Sequence, residues 1–130
     1  MHNVNVGTKG ERRLLVTSEE AISFLGLEDA RVLATPQMIR YMEWTCRESV
    51  LPLLEAGHDT VGTHVNVSHL AAAPIGSVVT FTSEVSAIQD RRLEFKVSAR
   101  NGDQLLGEGT HERTIINVAK FAAKMAQKKA

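Results

Sequence analysis

Cysteine is almost missing from this chain. Cys46 stands alone, so no disulfide can close within it. Its place on an apolar stripe, with no activating partner nearby, reads as a small core side chain. Aromatic residues are scarce at 5%, too few for platforms on which nucleic-acid bases stack. Neither sign of charge is in excess: 15 basic and 15 acidic side chains cancel. That leaves no electrostatic footprint for nucleic acid or an anionic membrane. No apolar run approaches the roughly 20 residues of a membrane span, and the N-terminus lacks the apolar segment of a secretory signal. The expected setting is the cytoplasm. GxSxG, Walker and GxGxxG patterns are absent as well.

What is present is a hydrophobic content of 43% in 130 residues, enough for one core and the length of one domain, residues 1–130. The chain is organised around the stretch Thr35–Leu54, TPQMIRYMEWTCRESVLPLL. Thr35 followed by Pro36 is a helix start, with the threonine hydroxyl free to accept from a first-turn N–H. Met38, Ile39, Met42, Cys46, Ser49, Val50 and Leu53 fall on one helical stripe. Tyr41, Trp44 and Leu51 form a second apolar patch, so much of the circumference needs cover. Pro52 loosens the last turn, and Gly57 lies beyond it.

Before this helix, residues 1–10 read as frayed or as a lead into a strand at 11–17. Ser18 with Glu20 and Ala21 opens a brief helical segment at Glu19–Phe24 that ends at Gly26, and 27–34 reads as a connection. After the helix the period becomes two. Val61, Thr63, Val65, Val67 and His69 share one face of a strand; Gly62, His64, Asn66 and Ser68 share the other. AAAPIG (71–76) is a turn. Residues 77–88 form a strand with Val79, Phe81, Val85 and Ala87 on one side. In 92–100, Leu93, Phe95, Val97 and Ala99 alternate with polar residues. Asp90-Arg91 and Asn101-Gly102 mark tight hairpins. A last strand covers 104–117, with Gly107 and Gly109 permitting close backbone approach. VAKFAAKMAQKK is a short C-terminal helix whose Lys120, Lys124 and Lys128 form a solvated face.

The order implies an α+β fold, an antiparallel β-sheet wrapped around a long central α-helix. One small sheet cannot cover a helix that is apolar nearly all round, which favours a homodimer. The strand Val61–His69, free of proline, is the candidate edge for pairing with a second copy.

Three polar residues are candidates for chemistry. Glu43 borders the apolar stripe, where a carboxylate is either paired with Arg47 or Arg40 or put to use. His69 ends a strand on its helix-facing side, where a histidine is either a satisfied core residue or a functional one. With Thr35 at the helix N-terminus, these groups suit acyl transfer if they meet. His64 and His69 lie on opposite faces and are no metal pair. His111 and Arg113, which alternate with Thr110 and Glu112 on the last strand, are candidate contacts for an anionic ligand; the alternative is a pair of charged residues on a solvent face.

Across residues 11–127 the chain resembles the hot-dog fold, and within it the group related to fluoroacetyl-CoA thioesterase. The resemblance is carried by LATPQMIRYMEWTC (33–46), VGTHVNVSHLAAAPIG (61–76), RRLEFKVSARNG (91–102) and GEGTHERTIIN (107–117). It implies two protomers with sheets joined edge to edge and active sites at the interface. It implies a catalytic threonine, glutamate and histidine at Thr35, Glu43 and His69, with Gly62 beside the acyl group. The implied reaction is hydrolysis of a small or medium acyl-CoA thioester. No metal or redox cofactor is expected, CoA being part of the substrate. The implied partners are acyl-CoA and a second copy, with pairing of dimers into tetramers left open. The alternatives are a non-catalytic acyl-CoA-binding module, and a hydratase or dehydratase of the same fold, which would use an Asp/His pair on a different pattern.

Overall fold

The computed structural model describes residues 2–24 and 26–129. In these residues seven strands and two α-helices follow one another: β1 (Lys9–Leu15), β2 (Ala21–Phe24), β3 (Leu27–Leu33), α1 (Thr35–Val50), β4 (His58–His69), β5 (Val78–Gln89), β6 (Arg92–Asn101), β7 (Gln104–Asn117) and α2 (Val118–Lys128). Five strands make an antiparallel sheet in the order β1-β5-β6-β7-β4, so β1 and β4 are its edges. The helix α1 lies against one face of the sheet. Its Met38, Met42, Cys46 and Val50 are buried against Val79, Phe81, Val85, Leu93, Phe95, Val97, Ala99 and Leu106. This is the stripe that the helical period picks out, joined to the inward residues of three strands.

Helix α1 stops earlier than the apolar pattern does. Pro52 has no N–H to give, so Leu51–Leu53 close a single 3-10 turn instead. The expected threonine cap is also absent. Ala34 is the N-cap residue, Thr35 is the first helical residue, and no side chain caps the end. The Thr35 hydroxyl is thereby left free for another partner.

The segment ahead of α1 departs most from expectation. Residues 21–24 are a strand, not a helical segment, and 27–33 are its antiparallel partner, not a plain connection. The Glu20 carboxylate, a helix-opening signal in the sequence, instead accepts from the Thr17 N–H at 2.9 Å and the Thr17 hydroxyl at 2.5 Å. It tightens a turn, and these bonds hold its carboxyl below the usual value. Gly26 supplies the positive φ (73°) of the hairpin turn. The N-terminus is not frayed over 2–8: Asn3 N–H reaches Leu53 O at 2.9 Å, Val4 is buried, and Gly7 N–H reaches Val85 O at 2.8 Å. Met1 lies outside the described residues.

Two of the bulges among the described residues bear on the core and the site. In β5 the irregularity between Val85 and Ala87 sets Ile88 opposite Leu93. Ile88, and not Ala87, therefore joins the core. In β4 a bulge at Thr63 leaves Gly62 opposite Arg113 and His64 opposite Glu112.

The two rings of the second apolar patch of α1 are half-buried and meet arginines within the chain. The Arg12 guanidinium of β1 lies 5.4 Å from the Tyr41 ring centre and 5.2 Å from that of Trp44, and Arg40 lies 4.7 Å from Trp44. Both rings keep a cationic lid. Val65 remains uncovered, 39% exposed on the helix-facing side of the edge strand β4. Among the described residues no helix is long and apolar enough to cross a membrane.

Candidate active site

Two clusters form where α1 runs beside β4. The first joins the start of the helix to the end of the strand: Thr35 Oγ1 and His69 Nδ1 are 2.7 Å apart. Because Thr35 is not spent on a helix cap, it can orient the imidazole. The other ring nitrogen, Nε2, is buried and has no hydrogen-bond partner among the described residues. Beside this pair opens a cleft of about 430 Å³, walled by Ile22 and Val32 of the β2–β3 hairpin and by Pro36, Leu70 and Ala71. The N-terminus of α1 adds its partial positive charge at the same end.

The second cluster surrounds Glu43, about 12 Å further along the helix axis. Neither expected partner holds it. Arg47 is forked onto Asp59 at 2.9 and 2.6 Å, and Arg40 rests on Trp44. Glu43 Oε1 instead faces Arg113 Nη1 at 3.6 Å and His111 Nε2 at 3.8 Å. These two residues are not on a solvent face. His111 is 1% exposed and Arg113 is 6% exposed.

Arg113 donates from Nε to Thr60 Oγ1 at 2.7 Å and from Nη2 to the Thr60 carbonyl at 2.9 Å. Burial pushes its guanidinium below the ordinary arginine value, while Glu43, Cys46 and Asp59 pull the other way. Burial likewise pushes His111 down, against a bond to the His64 carbonyl that raises it. Gly62 makes room for the whole group. A Cβ there would lie 2.5 Å from Glu43 Oε1 and 3.2 Å from His111 Cε1. Gly62 therefore faces the helix, as His69 does. The β4 bulge at Thr63 overturns the strict alternation that set them on opposite faces.

The structure thus brings Thr35 to His69, and Glu43 to Gly62 and Arg113. Among the described residues no hydrogen bond or ion pair joins Glu43 to Thr35 or His69. Sequence reasoning weighed His111 only as a contact for an anionic ligand and missed its place beneath Glu43. The signal was there, since a histidine two positions from an arginine on a strand shares its face.

An edge-open antiparallel sheet laid against a long helix is the architecture of the hot-dog thioesterases, and beside this helix stand a threonine, a histidine and a held carboxylate. The comparisons agree. The family model described as fluoroacetyl-CoA-specific thioesterase matches residues 16–119. The fluoroacetyl-CoA thioesterase of Streptantibioticus cattleyicolor is 45% identical over 101 residues, 78% of this chain and 73% of that protein. A solved structure of the fluoroacetyl-CoA thioesterase FlK superposes with a TM-score of 0.87 at 37% identity, covering 97% of this chain and 98% of that one. A thioesterase superfamily member from Thermus thermophilus gives 0.89 at 28% identity, covering 99% and 96%. The chain belongs to the fluoroacetyl-CoA-specific thioesterase family.

Proposed function

We propose that the chain hydrolyses small or medium acyl-CoA thioesters to the free acid and CoA, at sites shared between two protomers. The reading is carried by the hydrogen bond between Thr35 and His69 at the mouth of an apolar cleft, in a chain of this family. Glu43 attacks the thioester carbonyl or activates the water that does. His69 carries protons and positions the carbonyl, Thr35 fixes the imidazole, and the Gly62 backbone lies against the acyl group. Arg113, buried beneath Glu43, acts on the substrate through that carboxylate. Nothing in this scheme needs a metal or redox cofactor. Free CoA esters as substrates would suit a cytoplasmic protein.

The separation of the two clusters supports the dimer. Gly62 and His69 stand near opposite ends of β4, roughly 20 Å apart along an extended strand. An antiparallel pairing of β4 with its symmetry mate would bring His69 of one protomer to Glu43 of the other. In an isologous ladder the two-fold must fall on a residue, because partners across the ladder share a side and neighbours along a strand do not. A two-fold at Asn66 sets His69 opposite the Gly62–Thr63 bulge of the partner. It also gives the uncovered Val65 a partner in Val67. Further pairing into tetramers is compatible with this arrangement.

Release of free thiol from a panel of acyl-CoAs tests the activity. Turnover that Glu43→Ala and His69→Ala abolish is the expected result. Saturable binding without thiol release would make the protein an acyl-CoA-binding module, and a changed acyl chain with the thioester intact would make it a hydratase.

A further inference from the structure

We propose that His111 is a positioning residue: a neutral imidazole that accepts from Arg113 and so fixes the guanidinium edge on which Glu43 rests. The inference depends on the thioesterase reading for its kinetic consequence, but its chemical basis does not.

The protonation state of His111 follows from its two partners. A guanidinium has donors only, so the 3.1 Å contact between Arg113 Nη1 and His111 Nε2 is a hydrogen bond only if Nε2 carries no proton. The other ring nitrogen, Nδ1, is 2.8 Å from the His64 carbonyl oxygen, which can only accept. Nδ1 therefore holds the proton and the ring is neutral. Phe95 of β6 holds the ring in plane, 6.3 Å between centres with 29° between planes.

Arg113 is thereby clamped on three sides. Thr60 takes Nε and Nη2, and His111 takes Nη1. Nη1 is also the nitrogen that faces Glu43 at 3.6 Å. The Thr60 bonds hold Nε and Nη2, and the bond to His111 adds a hold at Nη1, the edge that the half-exposed Glu43 carboxylate meets. Charged groups face His111 from two elements: Glu43 from α1, and Arg113 and Glu112 from β7. Protonating His111 would turn its acceptor into a donor aimed at a cation, and the clamp would open. The chain of contacts begins at the His64 carbonyl, one residue past the bulge of the edge strand. The carboxylate is thus tied to the strand expected to meet the second protomer.

A histidine that merely fastened β4 to the core would need only its donor to the His64 carbonyl. Two substitutions separate the roles. His111→Gln places an amide oxygen near the Nε2 position and keeps the acceptor, whereas His111→Asn places its amide near Nδ1 and keeps the donor. With the best acyl-CoA substrate of the wild type, His111→Gln should hold kcat within about threefold. His111→Asn should lose roughly ten- to hundredfold in kcat with little change in KM. Equal kcat in the two variants, or the reverse order, overturns the proposal. A long-range nitrogen–proton NMR spectrum of the wild type reads the tautomer without any substitution. A bare Nε2 and protonated Nδ1 at neutral pH are expected; an imidazolium or the opposite tautomer overturns the proposal even if a variant fails to fold. Absence of hydrolysis by the wild type would refute the thioesterase reading and leave the tautomer result standing.

Discussion

Glu43 occupies the space that any side chain on Gly62 would need: a Cβ at position 62 would sit 2.5 Å from its Oε1. The glycine is required for room. The backbone there is ordinary strand, with none of the positive φ that marks the turn glycines. Gly62→Ala should therefore fold, yet displace the carboxylate from Arg113. We expect roughly a ten- to hundredfold loss of kcat with the melting temperature lowered by only a few degrees. Activity close to wild type would show that Glu43 is not held where it must act.

Thr35 offers a second separation of site from scaffold. Its hydroxyl bonds His69 and does not cap α1. A lost N-cap costs about 1 kcal/mol, several degrees in melting temperature for a chain of this size. Thr35→Val should cost less than that while lowering kcat/KM about tenfold or more, and Thr35→Ser should restore it. Differential scanning calorimetry beside thiol-release kinetics checks both halves. A large thermal loss with unchanged turnover would return Thr35 to the role of a cap.

Much of the scaffold was legible before the structure. Leu93, Phe95, Val97 and Ala99 alternate without interruption and are all buried, because β6 is a central strand with no bulge on that run. Met38, Met42, Cys46 and Val50 were found by helical period for the same reason. The failures are local and physical. Glu20 looked like a helix opener, but a carboxylate can serve a tight turn equally well when a threonine stands three residues before it. The surroundings of Glu43 were misjudged because Arg47 and Arg40 are near in sequence while Arg113, 70 residues away, is near in space. Local spacing cannot rank a distant partner. Arg12 over Trp44 escaped notice in the same way.

Acid should destabilise the fold in a defined window. Burial holds the proton affinity of His111 below its ordinary value of 6.5. The unfolded chain therefore binds more protons than the folded one as the pH falls through that value, and stability falls with it. The loss begins near pH 7 and continues until folded His111 is itself protonated. Melting temperatures between pH 7.5 and 5.5 should decline in the wild type and decline less in His111→Gln. Parallel curves for the two proteins would assign the effect elsewhere.

The edge pairing can be trapped chemically. Cys46 is buried, and burial pushes its thiol up to about 12, so the native cysteine should stay silent to mild oxidants. A cysteine introduced by Asn66→Cys would then report alone. If Asn66 faces its own copy across the two-fold, oxidation should yield a reducible dimer in high yield, since directly opposed strand residues have the spacing a disulfide needs. Cross-linking at Val118→Cys, on the exposed start of α2, serves as the control and should be absent. A fully active species of 14.2 kDa by sedimentation equilibrium would exclude the shared site altogether.

The bulge at Thr63 makes the site depend on a count. Gly62 and His69 are seven positions apart, an odd number, and on an unbroken strand one of them would look out into water. The bulge at Thr63 absorbs the odd residue and keeps both on one side. Chemistry at position 63 matters little, because its hydroxyl points away to the Glu112 carbonyl. What matters is that the count and the bulge agree. A chain can exchange Thr63 for almost anything and keep its site, and losing it would leave six positions on a regular strand with both residues still facing the helix. What would turn half of the site outward is a regular strand that keeps all seven positions.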